Sequence, residues 1–356
     1  MMLAFMRPAP GLASTSARSW RVGAALIFAT LVSVSVAAWL GAVPVTLGDW
    51  HSGWAYLQGD TEAMGGGGYV LWSLRLPRIV LALLVGAALG LSGALTQGLF
   101  RNPLADPGLL GISSGAACAV ALTIVLLGAG LGIPAAWRYW ALPVAAFVGA
   151  IGVCLLLDKL ARWLSGDSIS GLLLTGIALN ALAASVIGLC TYLATDEQLR
   201  SLSFWTLGSL AGANWPIALA LGGLLALASW YASRLAQSLN ALALGEATAA
   251  HVGINVGNLR TRVVIMVALL CGFAVAWCGM IGFIGLVAPH LVRTALGPDH
   301  RLVAPLSMGV GALLLLLADT AARTLAIPAE IPVGIFTSLI GTPFFLALLS
   351  GVRQGR

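Results

Sequence analysis

Ten apolar runs, each with few or no charges, constrain this chain more than any other feature. They fall at 22–43, 79–98, 109–133, 139–157, 171–193, 216–233, 262–281, 282–296, 302–322 and 333–351. A hydrocarbon core about 30 Å thick takes roughly 20 helical residues per crossing. Inside lipid every backbone N–H and C=O must be bonded within the protein, which for a single crossing means an α-helix. The spacing predicts an all-α polytopic membrane protein with about ten transmembrane helices. Composition points the same way: 60% of the 356 residues are apolar and only 8% are charged, where a soluble domain carries about 25% charged residues. Mean hydropathy is +0.99.

An even number of crossings puts both termini on one side. With the N-terminus inside, five of the 18 basic residues fall outside, namely Arg75, Arg78, Arg138, Arg200 and Arg323, and the rest fall inside. That asymmetry is the one that orients membrane proteins, so the N- and C-termini are expected to be cytoplasmic. Residues 1–19, with their prolines and Ser/Thr cluster, read as a disordered cytoplasmic tail, and 20–356 as a single transmembrane domain. The first run, about 22 residues, exceeds the 7 to 15 of a signal-peptide core and is expected to remain as a crossing. Residues 44–68 read as a polar excursion outside the membrane, ending in a flexible connector at Gly65–Gly68.

Several chemistries are excluded. The one lysine, Lys159, follows Asp158 rather than glycine, so no Walker A loop exists, and any ATP used must be hydrolysed by another chain. The five cysteines lie in apolar runs without a C-x-x-C pair and read as small hydrophobes. No metal-ligand spacing is present. The string GISSG at 111–115 fits a hydrolase pattern, but its flanks are apolar helices and His290 precedes Asp319, the reverse of the required order. No catalytic residue is assigned. The net charge of +6 is scattered along the chain and forms no patch for nucleic acid.

Four polar features remain. Asp319 is the one acid inside an apolar run, and Arg323, four residues on, can pair with it on one helical face; a proton or ion relay is the alternative. Gln97 and Asn180 either bond between helices or line a polar route. Gly86 and Gly90, like Gly279, Gly282 and Gly285, let helix backbones approach closely or punctuate a route. The longest inner loop, 234–262, holds a run of helix formers at 246–252 bounded by Gly245 and Gly253, so a short surface helix is expected there.

Taken together, several strings resemble the permease subunits of ATP-binding-cassette importers for vitamin B12, ferric siderophores and haem. They are RLPR at 75–78, GALTQGLFRNPLADPGLLG at 93–111, GEA at 245–247 with Gly253, and IGFIGLVAPH at 281–290. The resemblance runs from the first crossing to the C-terminus. It implies the inverted-repeat fold of type II importer permeases and a multi-pass protein of the bacterial inner membrane. The implied partners are a second copy of the chain, two ATPase subunits that bind ATP and Mg, and a periplasmic binding protein, with membrane lipid around them. No cofactor is implied as permanently bound.

Carried over by motif, Arg75, Arg78 and Arg323 would dock acidic residues of the binding protein. Gly245, Glu246, Ala247, His251 and Gly253 would form the coupling helix seated in the ATPase. Ser168, Ile169 and Ser170 match the family's cytoplasmic gate, although the B12 permeases have a hydroxyl residue where Ile169 stands. The strings LLLTGIALN at 172–180 and QLRSLSFWTLGS at 198–209 are similar to haem permeases. Haem is therefore the expected transported substrate, with ferric siderophore and then cobalamin as alternatives. An ion-coupled carrier using Asp319 is the rival from another class.

Overall fold

The computed structural model describes residues 10–60, 62–128, 134–166 and 168–354. Each of the ten apolar runs coincides over most of its length with a long helix, residues 129–133 of the third lying outside the described residues. In chain order these are α1 (Pro10–Trp39), α5 (Leu76–Phe100), α6 (Ile112–Gly128), α7 (Ala135–Ser165), α8 (Ile169–Leu193), α10 (Trp215–Ala243), α12 (Val256–Cys278), α13 (Ile284–Leu296), α14 (His300–Thr324) and α15 (Val333–Gln354). Among the described residues there are also five short α-helices: α2 (Leu47–His51), α3 (Gly53–Gln58), α4 (Gly65–Tyr69), α9 (Asp196–Leu207) and α11 (Glu246–His251). Seven of the long helices are apolar over a full membrane thickness, while α6, α13 and α15 carry shorter apolar stretches. All five cysteines are free thiols.

Three sequence expectations need correction. The segment Gly65–Gly68 is not a flexible connector. It forms α4, which continues through a π-helical turn at Val70–Arg75 into α5. Glycine disfavours a helix by about 1 kcal/mol per residue, but a side chain at Gly67 would collide with the Asp49 carboxylate and one at Gly68 with Ser52. Packing of the outer excursion against these bare backbones overrides local preference. Next, α1 starts at Pro10, so residues 10–19 of the expected tail are helical, while 1–9 lie outside the described residues. Proline suits the first helical position, where its missing N–H has no partner to lose.

The inner loop is also shorter than 234–262. Helix α10 runs on to Ala243 because Leu235, Ala236, Leu239 and Leu242 keep one buried stripe at helical spacing.

Helix α5 lies at the centre and α1 at the edge: 83% of the most apolar stretch of the span containing α5 is buried in protein, against 11% for α1. The central contact is the crossing of α5 with α14. A Cβ at Gly86 would fall on the Gly311 carbonyl, and one at Gly90 on the Ser307 carbonyl. Bare backbones touch here, and close van der Waals packing replaces the hydrophobic drive that lipid removes. The glycines read as packing or punctuation divide accordingly. Gly86, Gly90 and Gly279 are packed against neighbouring backbone and Gly285 against the Pro107 ring and the Leu89 carbonyl, whereas Gly282 has open space beside it.

Candidate functional site

At the outer end of the bundle, the start of α5 meets the end of α14. Arg78 donates from Nε and Nη2 to Asp319 Oδ1 at 3.0 and 2.9 Å, and from Nη1 to Glu330 at 2.8 and 2.9 Å. Asp319 is fully buried, while the Glu330 side chain is 48% exposed. The expected local pair of Asp319 with Arg323 is therefore secondary, its Nε lying 3.8 Å away. Arg323 instead donates to the carbonyls of Leu40, at 2.6 Å, and Ala37. Arg75, itself buried, donates to the carbonyls of Ala38 and Val43 at 2.8 Å each. The last carbonyls of a helix lack intrahelical partners and form the negative end of its dipole. Two guanidiniums satisfy that end of α1, which leaves Asp319 to Arg78.

The three arginines expected at the docking face thus converge, from residues far apart in sequence, around a cleft of about 310 Å³ that also takes in Val43, Ile327 and Glu330. Three cations against two carboxylates leave an excess of one positive charge. The Asp319 carboxylate is fully buried and bonded by Arg78.

At the opposite end, Gly245 and Gly253 take φ of 121° and 85°, conformations that side chains resist, and bracket α11. The expected short helix therefore forms between two glycine turns. Ala249 anchors it in the core, and Glu246 accepts from Arg101 Nη2 at 3.0 Å. Leu244 and Val252, 74% and 66% exposed, flank it on the surface. His251 bonds the Ala247 carbonyl through Nδ1 at 2.7 Å and so stays within the helix.

Beside this helix lies a network that sequence reasoning missed. Fully buried Arg260 donates from Nε to Asp158 Oδ1 at 3.1 Å and from Nη1 to the carbonyls of Gly166 and Ser168 at 3.2 and 3.4 Å. Asp158 also accepts from Arg162 at 3.1 Å. The only sequence signal was a pair of acid and arginine in two inner segments about a hundred residues apart. Within the expected gate, Ser168 caps α8 by accepting from the Gly171 N–H at 3.3 Å, Ile169 is buried and Ser170 is exposed. The ion pairs thus sort to the two ends of the bundle that the charge count separates.

Between the ends, an open cleft of about 730 Å³ is bordered by α9, the 280–282 segment and α15. Its lining is apolar apart from the hydroxyls of Thr206, Ser338 and Thr342, and holds no charged side chain. The size and character suit a bulky, largely apolar ligand. Thr206 lies in the 198–209 string that resembles haem permeases, whereas Ser338 and Thr342 sit in an apolar run and gave no signal by themselves. Gln97 and Asn180 lie elsewhere. Gln97 is buried and donates to the Leu286 carbonyl at 3.2 Å, and Asn180 donates to the Gly108 carbonyl at 3.3 Å while accepting from Ser114. Both are bonds between segments rather than lining of this cleft. That bond also occupies the GISSG string, where Ser114 serves Asn180 and the Gly111 carbonyl.

Comparison with known proteins agrees with this architecture. Residues 23–351 match the FecCD transport family. The chain is 47% identical over 287 residues to the hemin transport system permease protein HmuU of Yersinia pestis, covering 80% of this chain and 85% of that one. It is 39% identical over 324 residues to the vitamin B12 import system permease protein BtuC of Salmonella typhimurium, covering 91% and 92%. A solved metal-chelate type ABC transporter in an inward-facing conformation superposes with a TM-score of 0.77 at 33% identity, over 92% of this chain and 98% of that chain.

Proposed function

Because this chain belongs to the FecCD transport family, being a permease subunit and no enzyme itself, we propose that it carries haem into the cell as part of an ATP-binding-cassette importer of the bacterial inner membrane. The observation that carries the substrate is the 47% identity to a hemin permease over four-fifths of both chains. The uncharged cleft bordered by α9 and α15 supports it, since a porphyrin is a flat apolar plate with few polar edges.

In this reading two copies of the chain stand above two ATPase subunits, which bind ATP and Mg. A periplasmic binding protein brings haem to the outer face and meets Arg78 and Arg323, with Arg75 holding the surface in shape. Below, α11 with Gly245, Glu246, Ala247, His251 and Gly253 sits in the ATPase and transmits its closure. The stretch Ser168–Ile169–Ser170 then yields as the inner gate, released or held through the Ser168 carbonyl bonded to Arg260. Nucleotide and binding protein each shift the inward and outward populations only by their differential affinity for the two.

The test is uptake into proteoliposomes containing the chain, its ATPase and its binding protein, with haem, a ferric siderophore and vitamin B12 in competition. Haem should accumulate only with ATP and should not be displaced by the other two. Preferential accumulation of a siderophore or of B12 would replace haem as the substrate, and accumulation without ATP would remove the importer mechanism.

A further inference from the structure

A groove of about 360 Å³ runs along the outer surface of the bundle between α10 and α12. Leu224, Leu227, Ile265 and Leu269 make its apolar walls, and Trp230 and Arg262 border it. Arg234 stacks its guanidinium over the Trp230 ring, 5.0 Å from the centroid, so the rim carries two cations. Both are exposed, and neither has a carboxylate partner among the described residues. The groove therefore pairs an apolar trough with unneutralised positive charge.

Depth places that charge. At about 1.5 Å per residue, Arg234 lies about 28 Å along α10 from its outer end at Trp215. Arg262 lies about 24 Å along α12 from its outer end at Cys278 by the same measure. A hydrocarbon core is about 30 Å thick, and long arginine stems carry their heads to the nearer interface. Both guanidiniums thus reach the headgroup layer of the cytoplasmic leaflet, which is the anionic one.

We propose that this groove binds an anionic phospholipid of the inner leaflet, its phosphate between Arg234 and Arg262 and an acyl chain in the trough beside Trp230. A second copy of the chain is disfavoured as occupant. Two-fold pairing would lay this patch on itself and bring the arginines of both copies together without a counter-charge. The proposal rests on the membrane topology and stands apart from the transported substrate.

The test is native mass spectrometry of the full chain in detergent with equal amounts of phosphatidylglycerol and phosphatidylcholine. The unaltered protein should retain phosphatidylglycerol preferentially. The double variant Arg234→Gln, Arg262→Gln should lose that retention by about tenfold or more, since each arginine near an anionic headgroup is worth about a factor of five. The double variant Arg234→Lys, Arg262→Lys should keep most of it, which separates lost charge from lost folding. Equal retention of both lipids by the unaltered protein would overturn the proposal. So would an equal loss in Arg301→Gln, which borders a different cleft, because the attraction would then be diffuse surface charge. Efficient cross-linking between copies through Trp230→Cys would also overturn it, by placing a second chain over the groove.

Discussion

Arg78 holds Asp319 and Glu330 at once, one carboxylate fully buried and the other half in solvent, with every contact between 2.8 and 3.2 Å. The two bonds differ in consequence. Removing one partner of a buried ion pair strands the other charge and costs about 3–5 kcal/mol, whereas an exposed pair is worth about 0–1 kcal/mol. Arg78→Ala should therefore lower the thermal midpoint in detergent strongly, while Glu330→Gln should leave it nearly unchanged. Equal effects of the two would show that Asp319 does not depend on Arg78.

Glu330 shields Arg78 from any acidic partner. Glu330→Gln should thus tighten binding-protein docking at low salt, and Glu330→Arg should tighten it further, both effects shrinking as salt rises. Arg75 is buried on backbone carbonyls, so Arg75→Glu should reduce the amount of folded protein instead. Surface plasmon resonance at two salt concentrations checks this. Docking that ignores both Glu330 changes would remove the outer cluster from the interface.

At the α5 and α14 crossing, Gly86→Ala should destabilise the bundle by about 1–3 kcal/mol, the usual range for overpacking, because its new methyl meets the Gly311 backbone. Gly152→Ala has open space around it and should be neutral or mildly stabilising. The pair of melting curves decides it. A Gly86→Ala protein as stable as the parent would mean that this crossing is loose.

Glu246→Arg exchanges the bond to Arg101 for a repulsion on α11 and should lower the amount of ATPase that co-purifies and abolish coupled uptake. Leu244→Ser with Val252→Ser should weaken the same association by removing exposed apolar contacts, leaving the melting curve unchanged. Full recovery of the ATPase with both variants would place the coupling surface elsewhere.

Filling the cleft tests the route. Ser338→Trp should block haem uptake while ATPase association and thermal stability persist, because the residue borders open space. Ser170→Trp, exposed at the inner end, offers a second obstruction and should slow uptake if the gate lies there. Normal uptake in the Ser338→Trp protein would exclude this cleft from the path.

Much of the fold was legible because a bilayer leaves backbone few choices. Hydropathy located all ten long helices, and the arginine count separated the inner from the outer ion pairs. Glycines at 245 and 253 announced the bounds of α11, since each requires a backbone conformation that side chains resist. The resemblance carried over by motif supplied Arg75, Arg78 and Arg323 as a group, but not what they touch.

Partners across the bundle were not legible. Local spacing pairs Asp319 with Arg323, yet the structure gives Asp319 to Arg78, because the unpaired end of α1 draws Arg323 away. Likewise, Asp158 and Arg260 are unremarkable alone and become one buried network only when α7 packs on α12. The amino-acid sequence by itself determined the number and class of the long helices, since those follow from transfer of each segment from water to lipid. Tertiary structure alone decided which charges neutralise one another and where the cleft opens, because both depend on which helix ends meet, and that is set by close backbone packing at bare glycines.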